Sequence, residues 1–254
     1  MWKFPFLLML STMPFAGAGA NGVDAAIVFA IDASASIDPN TAKLQREGHV
    51  AALSEPSVIS AISAGFYGCI AITYIEWASP GQTRSVLPWS RICDREDALV
   101  AALAIHRKGT AGGGCNGYCA TSISHAIDTG RAILDSYRGN ALSKIIDISA
   151  SGMNNDGPPV EQSRRQEPST HGYTINAIVI PQVQGSATYH LLGYFTDHVI
   201  GGPGLFAVEP LIERDYMLAL QRKLVREISM SLGQLGGRQG AFLIVNDETV
   251  RSDS

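Results

Sequence analysis

Apolar positions along the chain alternate between runs of strand length and stretches of helical spacing. "AAIVFAID" (25 to 32) is an unbroken apolar run, the pattern of a strand buried on both faces of an α/β sheet. Pro39 then suits a first helical turn with Asp38 as N-cap, and the helix runs through "NTAKLQREGHVAAL" to stop before Pro56. "SVISAISA" is a short helix ending at Gly65. "CIAITYIEWA" (69 to 78) and "TRSVLPW" (83 to 89) are strands joined by the turn "SPGQ" and so antiparallel. Pro88 fits an edge strand.

Asp94 suits an N-cap for "REDALVAALAIH", and the Gly-rich "KGTAGGGCNGYCA" reads as a loop. The helix "TSISHAIDTGRAILDSY" (121 to 137) gathers Ile123, Ala126, Ile127, Ile133 and Leu134 near one face. "SKIIDIS" (143 to 149), "YTINAIVI" (173 to 180) and "LFAVE" (205 to 209) are further strands. A short polar helix interrupted by Pro168 and the stretch "TYHLLGYFTDHVIGGPG" lie between them, and a long amphipathic helix from Pro210 follows. Strands and helices alternate apart from one hairpin. That predicts an α/β, doubly wound, mostly parallel six-stranded sheet with one antiparallel edge strand. The domain is expected to span 21 to 233. In the tail, 234 to 254, "AFLIV" suits an added strand or strap, whereas the linker-like "GQLGGRQG" before it suits a partly disordered end.

Composition narrows this picture. The 254 residues are 46% hydrophobic and 17% charged, which suits one globular domain. A net charge of -4 and the lack of a Lys/Arg-rich run argue against nucleic acid as partner. "RKLVRE" (222 to 227) has its basic residues at helical spacing beside Glu227 and reads as a solvated helix face. The first 20 residues carry Lys3, an apolar stretch from Phe4 to Leu10, and small residues at Ala16, Ala18 and Ala20. This is the pattern of a cleavable signal peptide, with cleavage expected after Ala18 or Ala20. Its apolar core is too short to span a bilayer. The mature chain is therefore expected to be periplasmic or secreted and not integral to a membrane.

Export favours disulfides among Cys69, Cys93, Cys115 and Cys119. Cys69 and Cys93 lie at similar distances from the hairpin turn, which supports a bridge between them. Cys115 and Cys119 bracket "CNGYC". Zinc is the competing reading, weakened by the absence of a second close pair or a suitably spaced His.

The candidate chemistry begins where the first strand ends. Asp32, Ser34 and Ser36 alternate with Ala33 and Ala35, and sites in open α/β sheets form at such carboxyl ends. A carboxylate and two hydroxyls curling round one point, with the alanines packing away, are hard oxygen donors suited to Mg²⁺ with retained waters. A strand end followed by an Asx or Ser turn looks the same in isolation.

The order of elements and "AIDASAS", "CATSISHAI" and "KIIDIS" resemble the von Willebrand factor A domain with its metal-ion-dependent adhesion site. The resemblance extends over roughly 24 to 228. Through "LQREGHVAAL", "ITYIEWA", "IDISASGMNNDG", "YTINAI", "VIGGPG" and "QRKLVREI" it is nearest to a group of secreted bacterial A-like proteins, the domain of unknown function 1194. It implies Asp32, Ser34, Ser36 and Thr121 as ligands of Mg²⁺, Mn²⁺ or Ca²⁺, and it implies docking of a carboxylate from a protein or peptide partner. The family's third-loop Asp is Ser151 here. One formal carboxylate in place of two weakens attraction for a divalent ion, so the metal is expected to be weakly held or absent. Asp156 on the same loop is a candidate accessory ligand. Asp147, inside an apolar strand and on the face of Ser151, reads first as a structural acceptor and second as a group tuning the metal, with His125 as a candidate neighbour.

Enzyme signatures are missing: no G-x-S-x-G elbow, no H-E-x-x-H, no G-K-[ST] phosphate loop. No His is placed by sequence to activate the serines, and His171, His190 and His198, in or near loops, leave a spatial triad as the open route to catalysis. The chain is thus read as a binding module and not as an enzyme, with a metal-free envelope scaffold carrying a decayed site as the first alternative and a hydrolase as the second. The last helix shows no switch feature.

Overall fold

The computed structural model describes residues 22–112, 119–165, 172–180 and 191–233, with side chains as far as 230. The expected signal peptide, Cys115, Pro168, His171, His190 and the tail lie outside the described residues. Six strands form one sheet in the order β3-β2-β1-β4-β5-β6. They are β1 (Gly22–Asp32), β2 (Ile70–Trp77), β3 (Thr83–Ile92), β4 (Asn140–Ala150), β5 (Tyr173–Val179) and β6 (Ala207–Val208). Every neighbouring pair is parallel except β2 with β3. The doubly wound sheet with one antiparallel edge strand is therefore present as the sequence predicts.

All eleven residues of β1 are buried, because helices cover both sides of the central strand. Ala25, Ile27, Phe29 and Ile31 join the core with α1 (Pro39–Ser54), α2 (Pro56–Ser63), α3 (Arg95–Lys108) and α7 (Tyr216–Gly233). Ala26, Val28 and Ala30 join the opposite core with α4 (Ile123–Ser136), α5 (Val160–Arg165) and α6 (Leu191–Tyr194), which continues as a π-helical turn, Phe195–Val199. Both N-caps foreseen in the sequence form. Asp38 accepts from the N–H groups of Asn40 and Thr41, and Asp94 accepts from that of Asp97.

Several boundaries differ from the sequence reading. β3 passes through the exposed Pro88 to Ile92, helped by register shifts opposite Ile72 to Ile75 that accommodate a residue unable to donate to the ladder. β6 shrinks to two residues. The last helix starts at Tyr216, preceded by the 3₁₀ turn Glu213–Asp215, because Pro210 and the extended Ile212 hold the chain open before it. Gly48 lets α1 and α7 meet, since a Cβ there would lie 2.7 Å from Tyr216 Cε1.

"RKLVRE" is the main correction. Lys223 and Glu227 are both 2% exposed, not solvated. Lys223 Nζ lies 2.5 Å from Asp147 Oδ1 and 2.6 Å from Glu227 Oε1, and Asn176 Nδ2 also donates to Glu227 Oε1 at 2.8 Å. A buried carboxylate in β4 requires a cation, and α7 supplies it. Cys69 and Cys93 form the expected bridge across the open end of the hairpin, and Cys119 is disulfide-bonded as well.

Candidate metal centre

Strand order reverses between β2 and β4 on either side of β1, so β1 and β4 open a crevice at their carboxyl ends. Register places Ile31 beside Ser149, which brings Asp32 next to the loop starting at Ser151. The β1 loop is fixed by its backbone. Ala33 N–H donates to Trp77 O and Ala35 N–H donates to Cys119 O, both at 2.8 Å. Ala35 is exposed rather than packed away, because its amide is what ties the loop to the segment carrying Thr121.

Asp32, Ser34, Ser36 and Thr121 come together. Thr121 Oγ1 donates to Ser34 Oγ at 3.1 Å, and Ser34 and Ser36 share a hydroxyl contact at 3.1 Å. Asp32, Ser34 and Thr121 are buried, whereas Ser36 is exposed at the mouth. Asp32 Oδ1 accepts from Ser34 N–H at 2.8 Å, and the Ser151 N–H also donates to Asp32. Asp32 Oδ2 is buried and makes no hydrogen bond of ordinary geometry. Burial pushes the Asp32 carboxyl up to about 6, only partly offset by the hydroxyl and N–H of Ser34 and the N–H of Ser151. A buried carboxylate with one oxygen spare beside three hydroxyls fits a small hard cation. Ser151 is buried next to Asp32 and adds no charge. Among the described residues no group of three His, Cys, Asp or Glu stands ready for a metal, so any ion here depends on hydroxyls around one carboxylate.

Other anticipated residues lie elsewhere. Asp156 Oδ1 accepts from Gly157 N–H at 2.8 Å on the exposed side of its loop. Asp147 faces Lys223 on the α7 side. His125 is not its neighbour. Nε2 of His125 meets Thr83 Oγ1 at 2.9 Å and Nδ1 meets Thr129. His198 Nδ1 meets Glu161 at 2.6 Å. Among the described residues no histidine hydrogen-bonds Ser34 or Ser36.

Positioning residues escaped the sequence reading. Asn155 Oδ1 accepts from Thr121 N–H at 2.8 Å while Asn155 N–H donates to Thr121 O at 2.9 Å, a two-point clamp on the ligand segment. Asn154 Oδ1 accepts from Ser124 N–H at 3.0 Å at the start of α4. Gly157, at φ +80, brings the loop so near that a Cβ would lie 2.8 Å from Ser122 Oγ. "NNDG" reads as turn chemistry in sequence, and nothing in it says which amides the asparagines accept from. On the other side Gln45 is buried, donating from Nε2 to Asp32 O at 3.0 Å and accepting at Oε1 from Ser149 Oγ at 2.9 Å. Tyr216 OH completes the chain at 2.9 Å from Ser149 Oγ.

Solved structures share this architecture at low sequence identity. A von Willebrand factor type A protein from Catenulispora acidiphila matches with TM-score 0.51 and 14% identity over 83% of this chain and 43% of its own. The pilus adhesin SpaC from Lactobacillus rhamnosus GG in its open conformation gives 0.54 and 16% over 82% and 30%. The PilB minor pilin from Streptococcus sanguinis gives 0.54 and 14% over 85% and 64%. The chain thus spans less than two thirds of each, and what they share is the fold. No curated protein matches the chain in sequence. A family model matches residues 22–232, and the chain belongs to that family, described as "Protein of unknown function (DUF1194)", on a von Willebrand factor A-type fold.

Proposed function

We propose that the protein is an exported protein-binding module whose β1–β4 crevice holds a divalent cation, Mg²⁺ or in its place Mn²⁺ or Ca²⁺. Asp32, Ser34, Ser36 and Thr121 are the ligands, with Ser151 where a second carboxylate would stand. The observation that carries the reading is Asp32 Oδ2, buried and without a hydrogen bond of ordinary geometry, beside three linked hydroxyls. The bound ion would supply a Lewis-acidic position for a carboxylate of a protein or peptide partner. With only one anionic ligand, more of the ion's charge is left for that partner, and the resting affinity falls. Adhesin and pilin structures of the same fold make a protein partner the natural class. The reading needs no catalytic base. No described helix is long and apolar enough to cross a membrane, in keeping with release after signal cleavage.

Isothermal calorimetry with Mg²⁺ and Mn²⁺ tests this on the wild type, Asp32→Ala and Ser151→Asp. Binding lost in Asp32→Ala and strengthened in Ser151→Asp supports the reading. The second reading, a metal-free scaffold with a decayed site, draws on Ser151 and on an Asp32 that burial pushes toward its neutral form. It gains if the wild type binds nothing while Ser151→Asp does.

A further inference from the structure

The helix α3 is apolar on two sides, and three of its four larger apolar residues face out. Its buried side is Ala98, Ala101, Ala102 and Ile105, whereas Leu99, Val100 and Leu103 are 44%, 66% and 46% exposed. A surface helix normally turns its bulkier apolar residues to the core, and one apolar all round is normally covered all round. At about 100° per residue these three side chains form one stripe, with Glu96 a turn before and Arg107 a turn after on the same line. Both charged residues are exposed, and neither makes an ion pair among the described residues. Their neighbours are engaged elsewhere. Asp97 accepts from Cys93 N–H, and His106 pairs with Glu47 of α1.

We propose that this stripe is a self-association surface, occupied by α3 of a second copy running antiparallel across a two-fold axis. The charge order selects that occupant. A two-fold between Val100 and Leu103 sets Val100 of each copy on Leu103 of the other, and Glu96 of each opposite Arg107 of the other. A parallel pairing would oppose like charges at both ends. The surface is isologous, as closed dimers require, and its helices can approach as ordinary packed pairs do. Three apolar side chains per copy make a contact below about 1,200 Å², so association is weak and depends on concentration.

Sedimentation equilibrium of the purified protein between about 1 and about 300 µM, the range suited to so small a contact, decides the matter. A chelator is kept present so that the result is independent of the metal site. The wild type is expected to show a monomer–dimer equilibrium, and Leu103→Lys to weaken it roughly tenfold. Glu96→Arg and Arg107→Glu are each expected to weaken self-association. Mixed at equal concentration they are expected to form a heterodimer, since every end contact is then a pair of opposite charges. A wild type that stays monomeric throughout overturns the proposal. Dimerisation unchanged in Leu103→Lys places the contact elsewhere, and a mixture that fails to associate overturns the antiparallel arrangement.

Discussion

Two buried aspartates on neighbouring strands meet opposite fates. Asp147 of β4 lies in register with Phe29 of β1, three residues below Asp32. Both are 1% exposed or less. Asp147 has Lys223 at 2.5 Å, brought by α7 and shared with Glu227. Burial by itself would lower the Lys223 pKa, but the charges of Asp147 and Glu227 carry it up, so the cation stays charged inside the protein. Asp32 has amides and hydroxyls around it and, among the described residues, no cationic side chain paired with it, and its carboxyl rises to about 6. Identical side chains, buried to the same depth, thus become structure in one place and a candidate site in the other. The difference is whether the fold supplies the opposite charge or leaves it to come from outside.

The largest effect is expected from removing the internal cation. Lys223→Met leaves Asp147 and Glu227 buried together and is expected to cost about 3–5 kcal/mol in urea unfolding. Adding Asp147→Asn and Glu227→Gln to that background is expected to restore much of the loss. A cost below about 1 kcal/mol would break the comparison, because Asp147 would then be no better compensated than Asp32.

Asp32 is expected to respond with the opposite sign. Burial lifts its carboxyl from the ordinary 3.8 to about 6 in the folded state, so its contribution favours the folded state at low pH and is lost as pH rises through about 6. At pH 8 in chelator, Asp32→Asn is therefore expected to stabilise the protein by about 1–3 kcal/mol, from roughly 1.4 kcal/mol per pKa unit. The same substitution is expected to abolish any rise in Tm on adding Mg²⁺. Differential scanning calorimetry reads both, and a destabilised Asp32→Asn in chelator would mean that the carboxylate is already satisfied within the fold.

That contrast also marks what could be read in the sequence. The alternation of apolar runs predicts the sheet, its antiparallel edge and the Cys69–Cys93 bridge, since period and turn chemistry are local. Asp32, Ser34 and Ser36 were visible because three donors share one short loop, and Thr121 because its segment resembles a family motif. The partners of Asp147 were not visible. Lys223 and Glu227 are four apart on a helix, a spacing equally natural for an exposed ion pair, and only the packing of α7 on the sheet distinguishes the two. Gln45, Asn154 and Asn155 were missed for a related reason. Amide side chains act through the backbone groups they happen to reach, and sequence does not give that reach.

Glu227 offers a smaller test of the paired side. Burial, reinforced by the charge of Asp147, raises its carboxyl from 4.5 to about 7. The folded state accordingly gains from its proton at low pH and loses that gain as pH rises through about 7. Glu227→Gln is expected to flatten the stability profile between about pH 5 and 7 by about 1 kcal/mol or more while leaving the Asp32 portion intact. Urea unfolding at several pH values in chelator checks it. An unchanged slope would assign the pH dependence to Asp32 alone.

The smallest effects separate two neighbours on the third loop. Asn155 is itself exposed but clamps Thr121 through both its side chain and its backbone, so Asn155→Ala leaves the buried Thr121's N–H without its acceptor and is expected to cost about 1 kcal/mol, weakening Mg²⁺-dependent stabilisation with it. Asp156 is one residue further along, and its carboxylate already accepts from Gly157 N–H on the exposed side. Asp156→Asn keeps that acceptor and removes only a half-buried charge at the rim, so metal affinity measured by calorimetry is expected to change by no more than about twofold. A loss of about tenfold would place Asp156 in the ion's coordination through water, since that much energy is beyond what a charge at the solvated rim contributes. In that case the site would carry a second carboxylate after all, and Ser151 would mark a relocated charge in place of a missing one.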